Sequence, residues 1–107
     1  MNKTCLTWNS QTPQLTPIEI SKYLEEVPQY ELHEVKKMKR ISKLYSFKNF
    51  KEALAFTNAL GNICEEENHH PEIILQWGKV KVSWWTHSVG GLSENDFIMA
   101  FKTEELF

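Results

Sequence analysis

Residues 79–87, KVKVSWWTH, alternate: Val80, Val82 and Trp84 fall on one side of an extended chain, and Lys79, Lys81, Ser83, Trp85 and His87 on the other. Successive side chains of a strand point to opposite faces, so this segment has one face to bury and needs an apolar layer to cover it. The segment EIILQ, residues 72–76, precedes it across Trp77 and Gly78, the place of a tight hairpin turn. With a two-residue loop Gln76 pairs with Lys79. Carrying that ladder backwards sets His70 opposite Trp85, His69 opposite Thr86 and Asn68 opposite His87, with backbones roughly 5 Å apart. His87 is thereby brought beside a histidine pair.

The covering layer is legible on either side of this hairpin. Asn49 with Glu52 makes a capping-box pattern, and Phe50, Ala53, Leu54, Thr57, Leu60 and Cys64 recur at three and four, predicting a helix with one apolar stripe. Thr16 caps an earlier helix opened by Pro17 with Glu19 behind it; Ile18, Tyr23 and Leu24 supply its buried side, and Pro28 stops it. Residues 30–35 and 39–47 read as a strand pair in which Ile41, Tyr45 and Phe47 share a face, with the basic run KKMKR (36–40) as a solvated hairpin and His33 exposed. Gly90 and Gly91 permit a turn, Ser93 and Asp96 form a second capping pattern, and Phe97, Ile98, Ala100 and Phe101 continue a last helix. The order α-β-β-α-β-β-α predicts an α+β fold: a four-stranded antiparallel sheet with three helices on one face. The other face would carry Lys81, Ser83 and Trp85, as a subunit or ligand surface. All 107 residues read as one domain, with 1–15 as an irregular N-terminal arm.

Composition excludes several classes of function. There are 12 basic side chains against 14 acidic ones, a formal charge of -2, without the concentrated basic surface a nucleic-acid binder needs. Cys5 and Cys64 have neither metal-ligand nor redox spacing. No signal-like start and no run near ~20 apolar residues are present, so the expectation is a cytoplasmic protein with reduced thiols and no membrane contact.

The stretch EEENHHPEI, residues 65–73, is the candidate site. Glu65, Glu66 and Glu67 fall at the end of the second helix, where the dipole already presents negative charge, so local stability did not select them. Three imidazoles, His69, His70 and His87, beside carboxylates can hold one ring protonated and another neutral, as general acid and general base. Zinc is the alternative for the same side chains, but adjacent histidines rarely reach one ion together and H-E-x-x-H or paired cysteine spacing is absent; no metal is expected. A polar helix-to-strand junction without chemistry is the plainer alternative.

The run EEENHHPEIILQWGKVKVSWWTHSVGGLSENDF (65–97) resembles the signature of the pterin-4a-carbinolamine dehydratases, with HHP, a TH at the end of the following hairpin, and GLSxxD after it. The likeness takes in FKNFKEALAFTNAL (47–60) and reaches back to about Pro28, with Tyr30 standing where many relatives have tryptophan. The resemblance implies dehydration of 4a-hydroxytetrahydropterin, the carbinolamine left by an aromatic amino acid hydroxylase, to quinonoid dihydropterin. Pterin is then the substrate, and no cofactor is required. It implies His69, His70 and His87 as the acid/base residues, with Glu65, Thr86 and Asp96 near the pterin or orienting the histidines. Asp96 also reads as a helix cap, Pro71 as the residue that fixes entry to the strand, and Trp85 as either a pterin-stacking surface or a subunit contact. Relatives form dimers or tetramers, and a half-covered sheet is consistent with a homodimer or homotetramer here. Some animal members also serve as dimerisation cofactors for a homeodomain transcription factor, so a binding module is the rival reading.

Overall fold

Thr16 opens the first helix as its sequence predicts. Its hydroxyl accepts from Glu19 N at 3.2 Å while the Glu19 carboxylate accepts from Thr16 N at 2.8 Å, so two backbone donors that the helix leaves unpaired are satisfied. The computed structural model describes residues 14–107, and the irregular arm expected over 1–15 lies almost wholly outside the described residues. The elements are α1 (Pro17–Leu24), β1 (Glu31–Val35), β2 (Met38–Ser46), α2 (Phe50–Glu67), β3 (Glu72–Gln76), β4 (Lys79–Trp84) and α3 (Glu94–Leu106), with a 3-10 turn at His87–Val89. This is the expected α+β order. The strands form one antiparallel sheet ordered β1-β2-β4-β3, which leaves β1 and β3 as its edges.

The two-residue turn holds: Gln76 pairs with Lys79 and the ladder runs back to Glu72 opposite Ser83. Gly78 is needed there for close approach, because a Cβ would stand 3.1 Å from the Phe47 carbonyl oxygen. In the first hairpin Lys36 and Lys37 both take positive φ, as a tight turn between twisted strands requires. Val80, Val82 and Trp84 are fully buried on the face they share with Ile41 and Tyr45. Helices α2 and α3 cover that face, and α1 packs on α3 through Tyr23 stacked on Phe97 at 5.3 Å.

Two helix faces differ from the expectation. In α1 the buried residue is Ile20, whereas Ile18 is 74 % exposed; two positions along a helix is more than half a turn, so both cannot face the core. In α2 the buried stripe is Ala53, Phe56, Leu60 and Cys64, and Phe50 and Leu54 are exposed. The helix is apolar over more than one face, so spacing at three and four admits a rotated stripe. Burial pushes the Cys64 thiol up to about 12, so it packs as an apolar side chain and stays protonated. No described helix is long and apolar enough to cross a membrane.

The sheet's other face is not bare. His33 Nε2 lies 2.5 Å from Ser42 Oγ, which lies 2.6 Å from Ser83 Oγ, so a polar row crosses β1, β2 and β4 with both serines buried. The Arg40 guanidinium covers Trp85, 3.7 Å from the ring centroid. His33, expected to be exposed, is half-buried and partnered, because β1–β2 register places it opposite Arg40 and next to Ser42.

Burial, with Lys81 and Arg40 nearby, holds the His33 pKa below its usual value. The fold therefore favours the neutral ring, which accepts from Ser42. That contribution is fully present above the unfolded histidine pKa of about 6.5 and is lost as pH falls through the lowered folded value. The thermal midpoint should accordingly drop between about pH 7.5 and pH 5, and His33→Gln should remove part of that drop. Calorimetry of both proteins across that range checks it; identical profiles would show that His33 does not contribute.

Candidate active site

The end of α2 sets the site. Asn68 adopts the left-handed conformation (φ 52, ψ 42), which asparagine tolerates better than most residues, and its N–H bonds back to Cys64 O. This turn sends the two histidines in opposite directions: His69 is 6 % exposed, whereas the His70 side chain is 53 % exposed. Pro71 then holds the chain extended into β3.

His69 enters a buried cluster. Its ring lies nearly parallel to that of Trp84, with centroids 5.8 Å apart and planes at 8°, and its Nε2 is 2.7 Å from Asp96 Oδ1. Asp96 is fully buried in the first turn of α3, where its Oδ2 accepts from Ser93 N at 2.9 Å and from Thr86 Oγ1 at 2.8 Å. The Ser93 and Thr86 hydroxyls are 2.7 Å apart. A carboxylate only accepts hydrogen bonds, so His69 Nε2 carries the hydrogen in this pair.

His70 forms the second pair, its Nε2 bonded to Glu65 Oε2 on the last turn of α2. Both residues and Pro71 line an open cleft of about 470 Å³ between α2 and β3. Glu67 reaches Lys102 at 3.8 Å, so two of the three acids at the unfavourable end of α2 have tertiary partners.

His87 is placed differently from the expectation. The β3–β4 ladder stops at Glu72 and Ser83, and Thr86 pairs with Gly91 rather than with His69. Pro71 has no N–H to extend the ladder, and Gly90 at φ 77 folds the chain back. His87 is thus exposed at the start of the 3-10 turn, not opposite Asn68. Thr86 does meet His69, through the shared Asp96, so His87 directly follows a residue of the buried cluster. Trp85 projects to the other sheet face, where Arg40 occupies one side of its ring.

Of the expected site residues, then, His69, Thr86 and Asp96 form one hydrogen-bonded group, His70 and Glu65 form a hydrogen-bonded pair beside it, and Pro71 lines the cleft with that pair. Sequence reasoning missed the Trp84 ring behind His69 and the Ser93 hydroxyl behind Thr86. Both were assigned structural duties, as core residue and cap, and those duties are what bring them there. Among the described residues no three His, Cys, Asp or Glu side chains converge as a metal-binding group.

These features define a small α+β protein with one buried and one open imidazole–carboxylate pair at the same end of its sheet, an arrangement suited to proton transfer. The chain matches the pterin 4 alpha carbinolamine dehydratase family over residues 13–106, and it belongs to that family. A relative from Saccharophagus degradans is 44 % identical over 105 residues, covering 98 % of this chain and 93 % of its own length. Another from Microcystis aeruginosa is 47 % identical over 103 residues, covering 96 % and 89 %. Both are provisionally named pterin-4-alpha-carbinolamine dehydratases. The crystal structure of a transcriptional coactivator/pterin dehydratase from Brucella melitensis superposes with a TM-score of 0.79 at 29 % identity, covering 87 % of this chain and 97 % of that one. A pterin dehydratase-like protein described as a RuBisCO assembly factor shares the fold, with a TM-score of 0.63 at 19 % identity over 73 % of this chain and 88 % of its own.

Replacing Asp96 with Asn puts an amide donor or a weaker acceptor where three hydrogen bonds converge. Urea unfolding should show Asp96→Asn less stable by about 1–3 kcal/mol. Glu65→Gln, at the exposed pair, should stay within about 0.5 kcal/mol of the parent. Equal losses in the two variants would contradict the assignment of Asp96 as the buried anchor.

Proposed function

We propose that this protein is a 4a-hydroxytetrahydropterin dehydratase that uses its histidines as general acid and base. The observation that carries the reading is the pairing His69–Asp96 and His70–Glu65, two oriented imidazoles side by side in a chain of this family. The reaction breaks the C4a–O bond. One proton goes to the departing hydroxyl, which leaves as water, and one comes off a ring nitrogen, giving the quinonoid dihydropterin. His70 faces the cleft and is the first candidate to exchange a proton with bound substrate. His69 is held from behind by Asp96, and His87, on the exposed turn, supplies a third imidazole. Elimination of water requires no electron transfer, so the reading needs no redox cofactor and no metal. In a cytoplasm that contains an aromatic amino acid hydroxylase, the product would return to the tetrahydropterin pool through a reductase.

The enzyme is proposed to act as a homodimer or homotetramer. Among the described residues no further strand pairs with either sheet edge, and Val35, Leu44 and Ile74 are exposed on the face opposite the helices. Light scattering at micromolar concentration should give a mass at least twice 12.6 kDa; a species of 12.6 kDa alone would rule the assembly out.

The histidine roles are tested by a dehydration assay with freshly generated carbinolamine, read against the uncatalysed rate. His70→Ala should lower the rate by about 10² to 10⁴-fold. Because His70 is half-exposed, its stability should change by no more than about 0.5–1 kcal/mol. The double change His69→Gln with His70→Ala should reduce the rate further while circular dichroism shows a folded protein. A folded double mutant with wild-type turnover would mean that the two histidines do not carry the chemistry.

A further inference from the structure

Two glycines in a row close the turn that carries His87, and glycine leaves a backbone freer than any other residue does. Gly90 needs that freedom, since its φ is 77. Gly91 does not: its φ lies outside the left-handed region, so its backbone conformation would admit a larger residue. What stands in the way there is a neighbour. A Cβ at Gly91 would meet Gln14 Oε1 at 2.7 Å and Gln14 Cδ at 3.1 Å, and one at Gly90 would meet Gln14 Nε2 at 3.2 Å. One carboxamide therefore packs on the bare backbone of both glycines.

The backbone beside Gln14 is fixed. Leu15 N donates to Leu92 O at 2.9 Å, and the Leu15 side chain packs against the core. The chain that enters α1 thus runs alongside the chain that leaves the His87 turn, and the exposed Gln14 side chain reaches from the first to the second. The turn itself is short. Val89 N bonds to Thr86 O at 3.2 Å and Gly90 N to His87 O at 3.0 Å, a single 3-10 turn of the kind whose hydrogen bonds are poorly aligned. Followed by two glycines, such a turn holds its shape better with a contact from outside.

We propose that Gln14 is a positioning residue: it braces the Gly90–Gly91 backbone and so fixes the turn from which His87 addresses the substrate. The inference rests on the dehydratase reading above, with His87 as the third imidazole, and adds the residue that steadies it. Bracing by contact makes a specific demand. The length and bulk of the side chain at position 14 matter, and the hydrogen-bonding groups of its amide do not. It also makes Gly91 the counterpart of Gln14, because a methyl group there pushes the carboxamide away.

The test uses four variants, Gln14→Ala, Gln14→Met, Gly91→Ala and the double change Gln14→Ala with Gly91→Ala. Each is read by dehydration kinetics with the carbinolamine and by amide hydrogen exchange of the free protein. Gln14→Ala should speed exchange at Val89 and Gly90 by about threefold or more, a local opening that leaves the core amides unchanged. It should lower kcat about 3 to 10-fold, less than the ~100-fold that a 1 Å misplacement can cost, with KM within about twofold of the parent. Gly91→Ala should reproduce both effects. The double variant should be no worse than either single one, since both changes remove the same contact. Gln14→Met, with equal reach and no amide, should recover most of the loss. Gln14 is exposed, so global unfolding should not change and cannot mimic these effects. Additive losses in the double variant, unchanged exchange at Val89 and Gly90 in Gln14→Ala, or a Gln14→Met as slow as Gln14→Ala would each overturn the proposal and leave the dehydratase reading intact. A parent that does not dehydrate the carbinolamine, with exchange still raised in Gln14→Ala and Gly91→Ala, would overturn the dehydratase reading and keep the brace.

Discussion

One buried carboxyl group, that of Asp96, holds this end of the molecule together. Removing a carboxylate from water is costly unless its oxygens are fully hydrogen-bonded, and here the donors come from three separate parts of the chain. Ser93 N belongs to the start of α3, Thr86 Oγ1 to the segment after β4, and His69 Nε2 to the junction of α2 with β3. None of the three can shift without leaving a polar atom unpaired at full burial. The position of His69 is thus set by the same interactions that start α3 and end β4, and site geometry and fold stability are coupled at one residue.

The division between His69 and His70 follows from that anchor. Both rings have a carboxylate partner through Nε2, but one pair is inside the protein and the other faces solvent. An interior pair keeps its orientation whatever the solvent does; a surface pair is screened and exchanges with water. Two adjacent residues with the same side chain therefore differ in chemistry through a single backbone feature, the left-handed Asn68 that ends α2.

What the sequence made legible follows the same logic. Period-two alternation admits only two faces, so Val80, Val82 and Trp84 were assignable, and a two-residue turn left one register. Helical faces are broader, and α2 carries more apolar residues than one face can bury; hence Phe56 was passed over and Leu54 wrongly counted as core. The His69–His70 pair stood out as a motif. Which ring turns inward depends on one φ at Asn68, and no periodicity reports that. His87 was expected across a ladder that Pro71 and the Thr86–Gly91 pairing cut short. The neighbours of His33 depend on contacts across three strands, which lie far apart in sequence although close in the sheet.

The Thr86–Gly91 bridge gives the end of the sheet a small closed loop of its own. Its neck is fastened by Thr86 N to Gly91 O at 2.7 Å, and Thr86 is fastened again to Asp96, but His87 and Ser88 inside the loop are exposed. Inside the neck the 3-10 turn adds bonds of its own, Val89 N to Thr86 O at 3.2 Å and Gly90 N to His87 O at 3.0 Å, so the loop is held along its backbone while its side chains face out. The histidines then divide by what holds them as well as by exposure: a buried side-chain pair for His69, the backbone of a surface turn for His87. His69 can rearrange only if the core does, while the His87 side chain stands in solvent on a short, hydrogen-bonded turn that the core does not contact through it.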